Sequence, residues 1–207
     1  FHAQLRALRL AAAHGLLRIM FPCVSGLEEL RAARAAVARA AATLGARGES
    51  VPDVPIGVMI ELPSAALTAD LLAGEADFFS IGTNDLIQYM LAVDRTDDRV
   101  SRLYEPLHPA IIRAIRLVVR AGRHGRIPVA VCGEMAADPV LLTLLVGLGL
   151  RELSMAPSAI PLAKRVIRGL NAAEARVAAS RALRSRTAAE VEKGLSELTE
   201  PAESRQS

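Results

Sequence analysis

The chain has 207 residues, of which 52% are hydrophobic, 23% charged and 3% aromatic, and its formal net charge is +3. This composition excludes an intrinsically disordered segment and predicts a globular domain whose core is filled by aliphatic side chains. The arginines are spread along helical segments with no aromatic residues between them, so the positive charge favours a solvated helix surface over nucleic-acid binding.

Cysteine content and hydropathy predict a cellular location. Two cysteines, Cys23 and Cys132, are too few for a disulfide framework and indicate a reducing cytoplasm. No apolar run reaches the roughly 18 residues that a membrane-spanning helix needs, so no membrane insertion is predicted. The sequence opens at Phe1, already inside an apparent helix, and we expect it to be a fragment or a cleaved product.

Short apolar runs alternate with helical segments along the chain. A helical segment at residues 3–16 precedes five strand–helix units. The predicted strands are residues 17–22, 56–61, 78–82, 129–133 and 153–156. The helices predicted after them cover residues 26 to 45–48, 64–72, 86–91, 109–124, 139 onward and 161 onward, then two short surface helices at 172–198.

Some helix ends carry capping signals. Ser25 is predicted to cap the first long helix, and Asn84 and Asp85 to cap the short helix after them. Asp138 and Pro139 predict the start of another helix, with proline at its favoured first position. The polar tail at residues 200–207 is expected to be frayed.

The predicted strands are continuous apolar runs, which is typical of parallel strands buried on both faces. Their alternation with helices predicts a parallel sheet with right-handed crossovers, either a (β/α)8 TIM-type barrel or an open doubly wound sheet. Five units are too few to close a barrel of eight, so the chain would be the later part of an incomplete barrel. We expect a barrel domain over residues 1–171 and C-terminal helices with the tail over residues 172–207.

Polar residues collect after three successive predicted strands, at Glu61, at Thr83-Asn84-Asp85 and at Cys132-Gly133-Glu134. In a parallel barrel these clusters face the same rim, where such folds keep their active sites. Carboxylates on neighbouring strand ends can share one cation, and two protein carboxylates with water and substrate suit Mg²⁺. Glu61 and Asp85 are therefore candidate Mg²⁺ ligands, with ordinary loop carboxylates as the alternative interpretation.

Two further residues are candidates for chemistry. Arg95 is able to bind a phosphate in bidentate fashion, or it forms a salt bridge with Asp94, Asp97 or Asp98. Cys132 is either a proton donor, because a free thiol is protonated at neutral pH, or a small buried hydrophobe.

The other cysteine and the histidines are predicted to have no chemical role. Cys23 follows the first strand, and we expect it to serve packing. The four histidines are scattered, so each is interpreted as structural or surface: His2, His14, His108 and His124.

Long motifs in the chain resemble those of one enzyme family. The segments are Ile19–Pro22 (IMFP), Gly57–Pro63 (GVMIELP), Asp77–Tyr89 (DFFSIGTNDLIQY), Ala92–Arg95 (AVDR) and Cys132–Ala136 (CGEMA). They resemble the motifs of Enzyme I of the bacterial phosphoenolpyruvate:sugar phosphotransferase system. The resemblance runs from about Gln4 to Leu170.

This resemblance implies a (β/α)8 barrel that binds phosphoenolpyruvate and forms a homodimer. Glu61 and Asp85 fall on the family's Mg²⁺ ligands, Asn84, Asp85 and Arg95 on substrate-binding residues, and Cys132 on the acid that protonates the enolpyruvate carbon. The phosphoryl group is implied to pass to a histidine of a separate N-terminal domain and then to a histidine phosphocarrier protein for sugar uptake, releasing pyruvate.

Two departures leave alternatives open. The family's phosphohistidine domain and first barrel strands are absent from this sequence, so we expect the chain alone to be inactive in sugar phosphorylation, because the acceptor histidine is missing. Pyruvate phosphate dikinase and phosphoenolpyruvate synthase share the Gly-Thr-Asn-Asp and Cys-Gly-Glu elements, so a fragment of one of these is a second interpretation. A non-catalytic dimerisation module is a third.

Overall fold

The computed structural model describes the backbone of residues 1–199 and the side chains of residues 1–196. The tail at residues 200–207, predicted to be frayed, lies outside the described residues. Five parallel strands form a single sheet in the sequential order β1-β2-β3-β4-β5. They are β1 (Ile19–Phe21), β2 (Ile56–Ile60), β3 (Phe78–Gly82), β4 (Val129–Cys132) and β5 (Glu152–Ser154).

Helices connect the strands and continue beyond the last one. They are α1 (His2–Ala11), α2 (Leu27–Gly45), α3 (Pro63–Leu67), α4 (Ala69–Ala73), α5 (Thr83–Leu91), α6 (Pro109–Gly125), α7 (Pro139–Leu148), α8 (Ile160–Gly169), α9 (Ala172–Ala182) and α10 (Ala188–Thr199). Short 3₁₀ helices lie at Ala12–His14, Ser101–Leu103, Glu134–Ala136 and Pro157–Ala159. Within residues 1–199, no helix combines the length and the apolar character needed to cross a membrane.

The strand order decides between the two predicted architectures. A doubly wound sheet reverses its strand order at a switch point, whereas this sheet adds each strand to the same side of the previous one. The prediction of a doubly wound sheet is therefore wrong, and the α/β fold is that of an incomplete barrel.

The sheet is also curved, as a barrel wall is. Arg18 directly precedes β1 and Glu152 opens β5, so their strands lie at opposite edges of the sheet. In a flat sheet these edge strands would stand roughly 19 Å apart, at about 4.8 Å for each neighbouring pair. The Arg18 and Glu152 side chains nevertheless approach to 3.9 Å, and the Arg18 guanidinium lies 5.6 Å from the centre of the Phe78 ring on β3.

The two faces of the sheet differ in burial. On the face toward the helices most strand residues are buried, including Val58, Phe79 and Val131. On the concave face the strand residues are less buried, and Glu152 and Ser154 of β5 are exposed. The prediction of burial on both faces is thus confirmed for β3, where every residue is buried, and wrong for β5.

Helix capping follows the prediction in part. The Asp138 carboxylate accepts hydrogen bonds from the backbone N–H groups of Val140 and Leu141, so it caps α7 as predicted. Ser25 does not cap α2, because Gly26 holds that position, and the N–H and hydroxyl groups of Ser25 instead donate to the Glu29 carboxylate. The structure also begins α5 three residues before the predicted residue 86.

Helix α9 packs closely on α7 at a glycine. A Cβ atom at Gly147 would overlap the carbonyl oxygen of Ala175 and stand 3.0 Å from the Cβ of Ala179. Both of these alanines are buried. The glycine therefore sets how near the two helix axes can come.

Replacing Gly147 with alanine is expected to lower the free energy of unfolding by about 1–3 kcal/mol, the usual cost of overpacking a close contact. Urea unfolding followed by circular dichroism measures the change. Gly45→Ala is the matched control, because nothing lies within 4 Å of a Cβ atom there. Its effect should stay within about 1 kcal/mol, the size of the intrinsic helix preference. Equal stability of the two variants would contradict the account of this contact.

Candidate active site

The candidate residues lie at the carboxyl ends of neighbouring strands. Glu61 directly follows β2, α5 begins immediately after β3, and Cys132 is the last residue of β4. The register aligns Gly82 at the end of β3 with Cys132. Because the strands are parallel and adjacent, these three strand ends form one rim.

Glu61 is held in a fixed orientation at this rim. The residue is 3% exposed, and the backbone N–H of Cys23 donates a 2.6 Å hydrogen bond to the Glu61 Oε1. Cys23 has a φ of +55°, a left-handed conformation uncommon for residues other than glycine. The negative charge of this buried carboxylate is thus fixed close to Cys23, just after β1.

A glycine makes room for the second oxygen of Glu61. A Cβ atom at Gly82 would stand 2.9 Å from the Glu61 Oε2 and 3.1 Å from the Met59 Cγ. Any larger residue at position 82 would thus press on the carboxylate. The buried carboxylate consequently lies against the end of β3, directly beside the start of α5.

Asp85 lies in the first turn of α5 and is partly exposed. Its Oδ1 stands 3.8 Å from the Arg95 Nη2. Burial raises the pKa of the Cys23 thiol, and the negative charges of Glu61 and then Asp85 raise it further. Both carboxylates are therefore within electrostatic reach of the same thiol group.

These carboxylates suit a hard cation bound partly by other molecules. In the described part of the chain, no three or more His, Cys, Asp or Glu side chains are grouped so that they could hold a metal ion. A cation bound by Glu61 and Asp85 would take its remaining ligands from water or substrate. Mg²⁺ is commonly held in this way, through one or two carboxylates plus substrate phosphates, so the donor set fits it.

Asn84 joins the start of α5 to the segment after β4. Its Oδ1 accepts a 3.0 Å hydrogen bond from the backbone N–H of Glu134, and Thr83 Oγ1 donates a 3.0 Å bond to the Cys132 carbonyl. Gly133 has a φ of +114°, and a Cβ atom there would stand 2.8 Å from the Asn84 Oδ1. Within residues 1–196 the side-chain NH₂ of Asn84 makes no hydrogen bond, so it is available to a ligand.

The predicted capping role of Asn84 and Asp85 is wrong. Helix α5 begins at Thr83, and Gly82 occupies the capping position without a side-chain hydrogen bond. Asn84 and Asp85 instead occupy the first turn of the helix. Their side chains are thereby left for contacts outside α5.

The Cys132 thiol is partly buried and is contacted by the neighbouring strand. The Ser80 hydroxyl donates to its Sγ at 3.5 Å, and the thiol donates to the Ile81 carbonyl at 3.6 Å. A hydroxyl that donates to sulfur would stabilise the thiolate formed when the proton leaves. These contacts suit a proton donor at the end of β4, which stays a prediction for Cys132.

Arg95 pairs across the site rather than with its neighbours in sequence. The Asp94 carboxylate accepts from the N–H and hydroxyl groups of Thr96, and Asp97 pairs with Arg99 at 2.7 Å. Arg95 lies nearest to Asp85 instead. Among the described residues no salt bridge joins Arg95 to Asp94, Asp97 or Asp98, so the alternative predicted from sequence proximity is wrong for all three.

Sequence reasoning missed two contributions to the site. Cys23 is exposed, so the predicted packing role is wrong, and its backbone amide, which has no side-chain signature, donates the 2.6 Å hydrogen bond to Glu61. The Tyr104 hydroxyl donates to the Asn84 carbonyl at 3.4 Å. The only signal for Tyr104 was an aromatic residue within a polar, irregular segment of a chain poor in aromatics.

The histidines lie where they were predicted. His108 caps α6 by accepting from the Ala110 N–H, and the His124 Nδ1 lies 2.8 Å from the Arg120 carbonyl oxygen. His2 and His14 are exposed. All four are therefore structural or surface residues.

Comparison with known proteins identifies the family. The family model of the phosphoenolpyruvate-binding domain of phosphoenolpyruvate-utilising enzymes matches residues 1–172. A phosphoenolpyruvate-protein phosphotransferase of Staphylococcus carnosus is 45% identical over 98% of this chain and 35% of its own length. The phosphoenolpyruvate-protein phosphotransferase of Priestia megaterium is 47% identical over 84% of this chain and 30% of its own length. That of Haemophilus influenzae is 43% identical over 95% of this chain and 34% of its own length. The chain spans about a third of the length of these relatives.

A solved structure resembles the fold. A citrate lyase from Burkholderia xenovorans LB400 superposes with a TM-score of 0.59 at 18% sequence identity, over 95% of this chain and 67% of the other. At that identity the similarity concerns the fold alone. The family match over residues 1–172 carries the assignment: this chain belongs to the family of phosphoenolpyruvate-binding domains of phosphoenolpyruvate-utilising enzymes.

Proposed function

We propose that this chain is the phosphoenolpyruvate-binding part of a Mg²⁺-dependent phosphoenolpyruvate-protein phosphotransferase. The observation that carries the proposal is the position of Glu61, Asn84, Asp85 and Cys132 at or directly after the ends of β2, β3 and β4, with the Arg95 guanidinium 3.8 Å from Asp85. The names of the relatives supply the reaction class.

Each residue has a role that its contacts support. Glu61 and Asp85 would hold Mg²⁺, which when bound neutralises the phosphate and enolate charges. Asn84 offers its free amide NH₂ and Arg95 its guanidinium to the anionic substrate. Positioning and charge neutralisation are the main needs of phosphoryl transfer; the four residues would position the substrate, and Arg95 with the bound cation would neutralise its charge.

Cys132 would supply the proton that converts the enolate to pyruvate. When the P–O bond of phosphoenolpyruvate breaks, its electron pair stays on the enolate oxygen. The Cys132 thiol then gives its proton to C3, and the carbonyl of pyruvate forms. The Ser80 hydroxyl, which donates to Sγ, stabilises the thiolate left behind.

The names of the relatives and the resemblance of the motifs support a proposal for the activity of the longer protein to which this chain would belong. We infer that the phosphoryl group passes to a histidine of an N-terminal domain and then to a histidine phosphocarrier protein for sugar uptake. We also infer a homodimer and a cytoplasmic location. A barrel domain over residues 1–171 with C-terminal helices after it is part of the same proposal.

Binding of phosphoenolpyruvate to the 207-residue chain tests the proposal by isothermal titration calorimetry. Phosphoenolpyruvate is expected to bind when Mg²⁺ or Mn²⁺ is present and to bind at least about tenfold more weakly in EDTA, since the cation bridges protein and phosphate. Binding of equal strength with and without the cation would contradict the proposed site. Absence of binding under both conditions would contradict the proposed substrate.

A further inference from the structure

A cavity lined by arginines lies at the other end of the sheet from the candidate active site. It is found at the amino ends of β4 and β5, between the second half of α6, the end of α7 and one side of α9, and its volume is about 1210 Å³. Five arginines of three segments line it: Arg116, Arg120 and Arg123 of α6, Arg151 just before β5, and Arg176 of α9. The proposed phosphoenolpyruvate site uses none of them, so the cavity is independent of that proposal.

The cavity carries an excess of positive charge. The one carboxylate among its lining residues is that of Glu152, so five arginines less one glutamate leave four positive charges at neutral pH. Glu152 itself lies 3.9 Å from Arg18, which is outside the cavity. In the part of the chain that the structure describes, none of the five arginines forms a salt bridge. The carboxylates of residues 1–196 therefore leave this charge unbalanced.

Backbone carbonyls at the end of α7 orient two of the arginines. The Arg116 Nη1 donates to the Leu148 carbonyl at 3.1 Å. The Arg151 Nη1 donates to the carbonyls of Val146 at 3.0 Å and Leu150 at 2.7 Å. Because carbonyls are neutral acceptors, they fix the position of a guanidinium group without cancelling its charge. Each guanidinium has five N–H donors, so donors remain for a ligand.

The arginines of α6 lie on one face of the helix. Arg116, Arg120 and Arg123 follow one another at intervals of four and three residues, the spacings that bring helix side chains together. Like charges at these spacings repel each other and destabilise the helix. An anion bound in the cavity would remove this repulsion, so the cluster favours an anionic ligand.

The number of charges indicates the class of anion. Guanidinium groups bind phosphate in bidentate fashion, and a phosphate monoester carries about −1.5 to −2 charges at pH 7. Two or three linked phosphates would thus balance the four positive charges. Among the described residues that line the cavity there is no Phe, Tyr or Trp to stack on a nucleobase. A concave site also suits a small ligand better than a membrane surface or a nucleic-acid duplex.

We propose that the cavity between α6, α7 and α9 is a binding site for a polyphosphate chain, either free or as part of a nucleotide. Arg116 and Arg151 provide guanidinium groups that the α7 carbonyls already orient. The exposed Arg120, Arg123 and Arg176 bind the same chain from α6 and α9. The phosphates are the recognised groups, and a nucleoside attached to them adds no affinity.

Isothermal titration calorimetry of inorganic triphosphate into the 207-residue chain tests this site, with EDTA present so that no divalent cation occupies the rim. The double variant Arg123→Gln/Arg176→Gln should bind triphosphate at least about tenfold more weakly than the wild type, because it loses two charged contacts. Arg113→Gln/Arg181→Gln is the matched control. It removes the same charge from exposed positions of the same two helices, outside the cavity, and its affinity should stay within about twofold of the wild type.

A single variant and a second ligand complete the test. Arg120→Gln alone should weaken triphosphate binding at least about threefold, and circular dichroism checks that each variant keeps its helices. Adenosine triphosphate should bind within about threefold of inorganic triphosphate, since the phosphate chain alone is recognised. Absence of triphosphate binding by the wild type, or equal losses in the cavity variant and its matched control, would overturn the proposal. So would adenosine triphosphate binding more than about tenfold tighter than triphosphate.

Discussion

Replacing Asp85 with asparagine is expected to weaken Mn²⁺ binding by the chain at least about 100-fold, because loss of even a supporting partner of a metal ligand typically costs about 10- to 100-fold. The change removes one negative charge and one ligand oxygen and preserves the side-chain shape. Glu61 cannot compensate by moving, since it is 3% exposed and bonded to the Cys23 amide at 2.6 Å. The electron paramagnetic resonance signal of free Mn²⁺ measures the affinity directly.

A matched control exists on a neighbouring helix. Asp70 also lies in the first turn of a helix, α4, and is exposed. Asp70→Asn makes the same chemical change away from the rim and should leave Mn²⁺ affinity unaltered. Glu61→Gln should resemble Asp85→Asn. Unchanged affinity in Asp85→Asn, or an equal loss in Asp70→Asn, would show that the cation is held elsewhere.

Replacing Cys132 with alanine is expected to slow proton exchange at C3 of pyruvate by about 10²- to 10⁴-fold, the usual contribution of a positioned acid or base. Enolisation of pyruvate is the reverse of the proposed protonation step and requires no phosphoryl acceptor. Proton nuclear magnetic resonance of pyruvate in D₂O with Mg²⁺ and the chain follows loss of the methyl signal. Alanine keeps a small side chain at the end of β4, so binding of pyruvate should persist.

Ser154→Ala is the control for this measurement. Ser154 pairs with Cys132 in the sheet register and is exposed on the same face. Its replacement disturbs the rim to a similar extent without removing a thiol, and the exchange rate should remain that of the wild type. If the Cys132→Ala variant exchanges the C3 protons of pyruvate at the wild-type rate, a group other than Cys132 transfers the proton. Absence of Mg²⁺-dependent exchange in the wild-type chain would contradict the role of Cys132.

The sequence predicts the strands well because burial leaves a strong local signal. Each predicted strand coincides with one of the five observed strands, because an apolar run ended by a polar residue can be recognised from the local sequence alone. The curvature of the sheet cannot be predicted from the local sequence. It is seen only in the folded chain, where Arg18 and Glu152, which are distant in sequence and looked like ordinary surface charges, approach each other across the edge strands.

The candidate site is predictable only where side chains carry the function. The motifs name Glu61, Asp85, Asn84, Arg95 and Cys132, because their residue types suit the proposed chemistry. The support for these residues comes from groups without such a signature. A backbone amide in a left-handed conformation holds Glu61, and a phenol that follows an irregular segment contacts Asn84. Both contacts arise from tertiary folding and involve residues far apart in the chain.

The position of a bound cation tests the central claim most directly. Crystals of the 207-residue chain soaked with Mn²⁺ and phosphoenolpyruvate would reveal the ion by its anomalous scattering. We predict one peak within about 2.5 Å of a carboxylate oxygen of Glu61 and one of Asp85, the range of oxygen ligation for such ions. A peak ligated by other residues, or phosphoenolpyruvate bound at the rim with no ion beside these two carboxylates, would contradict the proposed site.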